Sequence, residues 1–136
     1  MIGKKAGSST PDQWPASLDA LAAASEHHKV LLENDQVRVL DTRIGPGERT
    51  PVHTHSWPSV YYVLGWSDFI RYDADGRVML GSRTMGSRPE KGTALWAAPL
   101  GPHSAENVGN GELRVIAVEL KSLRTASPLG NGLSVG

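Results

Sequence analysis

The strongest constraint on the fold is a series of short segments, from Lys29 onward, in which apolar residues recur at about every second position. The segments 36–44 and 60–64 are the clearest cases, the second being β-branched and aromatic. A period of two is typical of β-strands. Turn residues separate the segments, and the sequence 73–76 predicts a hairpin turn. The strands predicted from this pattern are 36–44, 60–64, 69–72, 77–80, 93–98, 103–108 and 113–120.

Eight or more short strands without a long internal repeat predict an all-β protein, an antiparallel β-barrel or jelly roll. One short helix is expected over 18–24, with Ser17 as its N-cap. We interpret residues 1–28 as an N-terminal lead-in that includes this helix, 29–122 as the barrel and 123–136 as a flexible C-terminal tail. The 136 residues suit a single domain.

Composition excludes several classes of function. Basic and acidic residues are equal in number, 14 of each, so no net charge attracts the chain to nucleic acid or anionic lipid. The absence of cysteine excludes disulfides, cysteine-ligated zinc and thiol catalysis. No apolar segment approaches the roughly 20 residues that a membrane helix needs. The N-terminus includes two basic residues, Lys4 and Lys5, but lacks the apolar core of a signal peptide, so we expect a cytoplasmic protein.

The histidines are the main chemical signal. His53 and His55 are two positions apart, which places both imidazoles on one face of a strand, where they can chelate one cation. His103 stands where a later strand begins. The alternative is that the pair is solvated on an edge strand. His27 and His28 precede the first strand, and we interpret both as surface residues.

Glycines, histidines and an asparagine at characteristic spacings resemble the two signature motifs of the cupin superfamily. The matching residues are Gly47, His53, His55, Gly65, Gly92, His103 and Asn107. The resemblance covers roughly 30–121 and implies a double-stranded β-helix. More narrowly, 28–40 and 115–121 are similar to small single-domain cupins grouped with a β-alanine-degradation protein.

The resemblance implies that His53, His55 and His103 hold one divalent transition metal ion. Imidazole suits zinc, copper, iron and nickel alike, and manganese is a further candidate, so the metal is not distinguished. Ser59 replaces the glutamate of the family motif, and an ion with three neutral ligands polarises a bound water or substrate oxygen more strongly. Similar cupins with three histidines include iron dioxygenases that cleave β-diketones or oxidise thiols. The alternative is a degenerate cupin without a metal.

Several other residues are candidates for contact with a substrate. Trp57, Ser59 and Tyr61 share a face with His55 if the strand continues without a bulge, and Trp96 is a fourth candidate. Core packing explains these side chains equally well. Three arginines are candidates for binding a substrate carboxylate, although each suits a solvated strand position too; they are Arg38, Arg71 and Arg114. Asn107 is expected to bridge backbone groups near a strand end.

These observations predict a mononuclear metal cupin that carries out an oxygen-dependent, dioxygenase-type oxidation or an isomerisation of a small oxygen-bearing substrate. The alternative is a non-catalytic module that binds a small molecule or a metal. Because an open sheet edge favours pairing with another copy, we expect a homodimer. We expect no nucleic-acid or membrane partner.

Overall fold

A computed structural model describes residues 10–85 and 88–123, and it confirms the all-β expectation. Nine strands lie in these ranges: β1 (His28–Glu33), β2 (Val37–Ile44), β3 (His53–His55), β4 (Ser59–Gly65), β5 (Phe69–Asp73), β6 (Val78–Gly81), β7 (Ala94–Ala97), β8 (Leu100–Asn107) and β9 (Leu113–Leu120). They form two antiparallel sheets. One has the strand order β1-β2-β9-β4-β7 and the other has the order β3-β8-β5-β6.

The two-residue period located most strands correctly. The predicted strand 113–120 coincides with β9, and the predicted hairpin corresponds to β5 and β6. Gly76 in the hairpin turn has a φ of 87°, a left-handed conformation that favours glycine. The shortest strand is β3, whose three residues are all buried.

The N-terminal helix is shorter than predicted and has a different cap. The α-helix α1 spans Ala20–Ala23, and its N-cap is Asp19, whose carboxylate accepts a hydrogen bond from the Leu21 amide at 3.0 Å. Ser17 lies instead in a single turn of 3-10 helix, Ala16–Leu18. Asp19 is held at the cap position because it also accepts hydrogen bonds from Arg38.

Short 3-10 turns accompany this helix and two other connections. They are Pro11–Gln13, Ala16–Leu18, Ser25–His27, Ser82–Thr84 and Lys121–Leu123. The predicted flexible tail falls almost entirely on 124–136, outside the described residues. No helix within the described ranges is long and apolar enough to span a membrane.

Asn107 joins the ends of several segments, as the sequence predicted. Its side-chain amide donates to the carbonyl oxygens of Ile44 and Gly111, both at 2.8 Å. Its side-chain oxygen accepts from the Ser67 hydroxyl at 2.7 Å and from the Gly109 amide at 3.0 Å. Asn107 is fully buried, so these bonds are made without competition from water.

Candidate metal centre

Four histidines from three strands converge at one end of the barrel. His53 and His103 are cross-strand partners on β3 and β8, and their ring centroids are 4.3 Å apart. The ring of His55 lies 5.0 Å from that of His53 and 5.5 Å from that of His103. The fourth ring belongs to His28, 4.9 Å from His53 and 5.2 Å from His55. All four residues are buried.

The interpretation of His28 as a surface residue is wrong. His28 begins β1 and pairs with Thr42 on β2, a register that turns its side chain towards the barrel interior. Its exposed fraction is 4%. The neighbouring His27 is only partly buried and points elsewhere, with Nδ1 at 2.9 Å from the carbonyl oxygen of Arg43. No local motif marks His28, because it lies outside both of the motifs that the sequence matches.

The ring nitrogens of three histidines are close enough to share an ion. One nitrogen from each of His28, His53 and His55 lies within 4.8 Å of the other two. Nitrogens about 2.1 Å from a shared zinc ion are themselves roughly 3.4 Å apart in a tetrahedral arrangement. Small ring rotations therefore suffice to bring them to one ion. His103 does not belong to this closest set of described residues, although its ring contacts those of His53 and His55.

Backbone carbonyls fix the orientation of three of the rings. Nδ1 of His28 donates to the Ala24 carbonyl oxygen at 2.9 Å, and Nδ1 of His53 donates to that of Pro51 at 2.8 Å. Nδ1 of His103 donates to the carbonyl oxygen of its close neighbour Gly101 at 2.7 Å. A carbonyl only accepts, so in each neutral ring the hydrogen is on Nδ1 and the lone pair is on Nε2. Metal-ligating histidines characteristically have this arrangement.

A buried carboxylate orients the fourth ring. Nδ1 of His55 lies 3.3 Å from Oε2 of Glu119 on β9. The other carboxylate oxygen of Glu119 accepts a hydrogen bond from Nε of Arg38, and Arg38 also bonds both oxygens of Asp19 at 3.0 and 3.1 Å. Burial opposes the charge of Arg38, but its hydrogen bonds to these two carboxylates outweigh that effect and raise its pKa. No motif in the sequence pointed to Glu119, which lies 64 residues after His55.

Burial keeps three of the four histidines in the neutral form that binds metals. It lowers the pKa of His28 to about 3, that of His53 to about 4 and that of His103 to about 2. Repulsion from the neighbouring imidazoles acts in the same direction. The lone pairs are therefore free at neutral pH, so no proton has to leave when a cation binds.

The histidines lie beside a cavity of about 430 Å³, a volume within the usual range for small-molecule sites. Tyr61 and Trp96, two of the four predicted substrate residues, line it. Ser59 and Trp57 are not among the described lining residues. Ser59 is buried, and its hydroxyl donates to the Trp57 carbonyl at 3.3 Å. A substrate role for these four residues stays a prediction.

Trp57 lies outside the cavity because the strand does not continue from His55. Residues 56–58 connect β3 and β4, so the alternation of faces is broken before Ser59. The Trp57 ring instead packs under Arg38, whose guanidinium carbon is 4.8 Å from the ring centroid. Lys121 contacts the same ring, at 5.5 Å.

Two antiparallel sheets around a buried histidine cluster define the class of protein, a barrel with the double-stranded β-helix fold of the cupins. A cupin domain from Bordetella pertussis Tohama I superposes on it with a TM-score of 0.56 and 21% identity, over 69% of this chain and 91% of that one. This similarity establishes the fold.

Two further solved structures resemble the chain. A protein with a double-stranded β-helix domain from Klebsiella pneumoniae has a TM-score of 0.48 and 20% identity, covering 69% of this chain and 75% of that one. An RmlC-like cupin family protein from Methanocaldococcus jannaschii has a TM-score of 0.48 and 12% identity, covering 68% and 77%. No protein-family model and no curated protein matches the chain. These comparisons give no support to the narrower resemblance to β-alanine-degradation cupins.

Proposed function

We propose that the chain is a mononuclear metal cupin in which His28, His53, His55 and His103 surround one divalent transition metal ion, next to a cavity for a small oxygen-bearing substrate. The observation that supports the proposal is that Nδ1 of each of the four rings has an oxygen atom as its hydrogen-bond acceptor. Each ring is held by a fixed oxygen that leaves Nε2 as the free nitrogen. Four buried imidazoles without such a role would lose hydration and gain little in return.

The chemistry of the donor set fits an ion of borderline softness, and iron, zinc, nickel, manganese and copper remain open. Such an ion supplies Lewis acidity towards a substrate oxygen and, if redox-active, the electron transfer that an oxygen-dependent oxidation needs. The protein residues contribute position and charge. Arg38 balances only one of the two carboxylates that it bonds, Asp19 and Glu119, so this group carries one net negative charge behind His55, and no anionic ligand reaches the ion itself.

Metal binding is tested by calorimetric titration of chelator-treated protein with Zn²⁺ and Co²⁺. We expect one ion per chain. Replacing His28, His53 or His55 by glutamine should weaken binding by at least about tenfold, because each change removes a ligand nitrogen. The matched control is His27→Gln, which alters the adjacent histidine outside the cluster and should bind like the wild type. Equal affinities for His28→Gln and His27→Gln would exclude His28 from the site.

Catalysis is tested separately, after loading with Fe²⁺ under anaerobic conditions. Oxygen uptake with β-diketones, thiols or 2-oxo acids, abolished by His53→Gln, would support a dioxygenase-type oxidation. A filled site without turnover would favour the second function, a non-catalytic binding module. One observation favours that alternative: both oxygens of Glu119 are engaged, and no carboxylate belongs to the described set of candidate ligands.

A further inference from the structure

Arg71 differs from the other two arginines that the sequence offered as carboxylate-binding residues. Arg38 is paired with Asp19 at 3.0 Å, and Arg114 is paired with Asp41 at 2.9 Å. Arg71 forms no ion pair or hydrogen bond with any described side chain, and its guanidinium carbon lies 5.8 Å from the centroid of the Phe69 ring. Arg71 thus retains its full capacity to bind an anion.

The register of the sheet directs Arg71 into the cavity. On β5, Arg71 pairs with Ala105 of β8, two positions from His103. Directly opposed residues and their neighbours two positions away share a face of the sheet, at a diagonal separation of roughly 7–8 Å. Arg71, Ala105 and His103 all line the cavity. The guanidinium therefore lies on the same wall as the histidine cluster, and its charge helps to lower the pKa of His103.

Two further hydrogen-bond donors in the cavity wall have no partner among the described residues. The Tyr61 hydroxyl lies near enough to interact electrostatically with Arg71, and burial raises the pKa of this phenol, which keeps its proton. The indole Nε1 of Trp66 is the one buried side-chain nitrogen or oxygen in the described ranges that lacks a partner. Arg71 and Tyr61 thus present donors to a cavity whose described lining includes no carboxylate, whereas Nε1 of Trp66 is too deeply buried to reach it.

The remainder of the wall is largely apolar. It includes side chains from both sheets, among them Ile44, Leu80, Leu95, Trp96, Leu113 and Val115. Such a wall favours a ligand with an apolar or aromatic body, because burying that body releases water from both surfaces. A guanidinium in this setting is costly without an anion, and burial lowers the pKa of Arg71 accordingly.

We propose that the cavity binds a small carboxylate with an apolar or aromatic body, held through its carboxylate by the Arg71 guanidinium and the Tyr61 hydroxyl. The proposal specifies the substrate class of the metal site proposed above and rests on it for the position of the reacting oxygen beside the ion. Arg71 itself holds the carboxylate without help from the metal. The proposed metal site and the proposed carboxylate site can therefore each be refuted without refuting the other.

The test is a calorimetric titration of the protein with benzoate and hexanoate, and with the uncharged benzamide and hexanamide, before and after loading with Zn²⁺. We expect saturable binding of at least one carboxylate in the absence of metal and much weaker binding of its amide. Arg71→Met should weaken carboxylate binding by about tenfold or more, because a hydrogen-bonded charge pair is lost. Arg71→Lys should retain part of it. The Zn²⁺ affinity and melting temperature of Arg71→Met should be no lower than those of the wild type, because the change removes an unpaired positive charge beside the histidines.

Arg77→Met is the matched control, because Arg77 is exposed at the β5–β6 hairpin and does not line the cavity. It should bind carboxylates like the wild type. No saturable binding of either carboxylate at millimolar concentration, or equal binding by Arg71→Met and Arg77→Met, would overturn the proposal. Loss of carboxylate binding in His53→Gln but not in Arg71→Met would overturn it too, since the anion would then be bound by the metal alone. Failure to bind Zn²⁺ with intact, Arg71-dependent carboxylate binding would overturn only the proposed metal site.

Discussion

Ser59 and Glu119 lie directly opposite each other on the neighbouring strands β4 and β9, and both are almost completely buried. The cupin resemblance places the family's glutamate ligand at Ser59. In this chain a carboxylate lies across the strand pair instead, where it bonds Arg38 and Nδ1 of His55. The carboxylate therefore acts behind a histidine ligand and does not itself face the proposed ion.

Because Ser59 lies opposite Glu119, we expect that replacing it by the glutamate of the family motif will destabilise the protein. Ser59→Glu would bring a second carboxylate beside Glu119 in a buried site, where two like charges cannot both be accommodated. We expect the free energy of unfolding to fall by about 2–4 kcal/mol, measured by urea denaturation. Ser59→Glu combined with Glu119→Gln should recover part of the loss, and Ser25→Glu at an exposed site should have little effect. A Ser59→Glu protein of wild-type stability that binds Zn²⁺ more tightly would contradict this account.

The same carboxylate is expected to strengthen metal binding through His55. Glu119→Gln removes the charge that orients the ring, and changes of this kind cost about 10- to 100-fold in metal affinity. The affinity is measured by competition with a chromophoric chelator. The control is Glu33→Gln, which removes an exposed carboxylate paired with Lys121. An unchanged Zn²⁺ affinity in Glu119→Gln would show that His55 needs no such partner.

The lowered pKa values of the buried histidines predict a loss of stability in mild acid. His28, His53 and His103 have folded pKa values of about 3, 4 and 2, whereas an unfolded histidine titrates near 6.5. Below pH 6.5 the unfolded chain binds more protons than the folded one, so stability is complete above that pH and decreases towards pH 4. Each histidine contributes up to about 1.4 kcal/mol per pH unit.

The measurement is urea denaturation of metal-free protein between about pH 7.5 and pH 5.5, above most of the range in which carboxylates titrate. Replacing His103 by glutamine should make the free energy of unfolding less dependent on pH, since one titrating group is removed. Stability that is constant over this range would contradict the burial of neutral imidazoles.

The Asn107 network is expected to be a major contributor to stability. Asn107→Ala would leave the carbonyls of Ile44 and Gly111 and the Ser67 hydroxyl without their partner in a site that excludes water. We expect a loss of about 2–4 kcal/mol in the free energy of unfolding. Asn110→Ala, at an exposed neighbouring position, is the control and should change stability by less than about 0.5 kcal/mol. A comparably small effect for Asn107→Ala would show that water replaces the amide.

We propose that the outer strand β1 mediates a homodimer. It lies at the edge of the five-stranded sheet, and three successive apolar residues, Val30, Leu31 and Leu32, are 40–51% exposed on it. An apolar edge strand is a favourable surface for pairing with a second copy. Light scattering at micromolar concentration should give the mass of a dimer for the wild type and of a monomer for Leu31→Lys combined with Leu32→Lys. The control is Val78→Lys, an exposed apolar position on β6, and a monomeric wild type would refute the proposal.

Much of the fold could be predicted because strand periodicity is a local property. The alternation in β9 and the turn chemistry between β5 and β6 located both features to within a residue or two. The same alternation predicted that His53 and His55 lie on one face of a strand. The prediction from alternation failed between His55 and Ser59, where a connection replaces the expected continuous strand. Trp57 therefore does not share a face with His55, contrary to what the sequence had predicted.

The sequence by itself determined the strands, the turns and the pair of histidines on β3, because each depends on residues a few positions apart. Only the tertiary structure decided that His28 joins the cluster, that Glu119 supports His55 and that Arg71, rather than Arg38 or Arg114, remains unpaired in the cavity. These outcomes depend on strand register and on which strands become neighbours. The physical reason is that side chains distant in the chain meet only after the sheets have closed around a common interior.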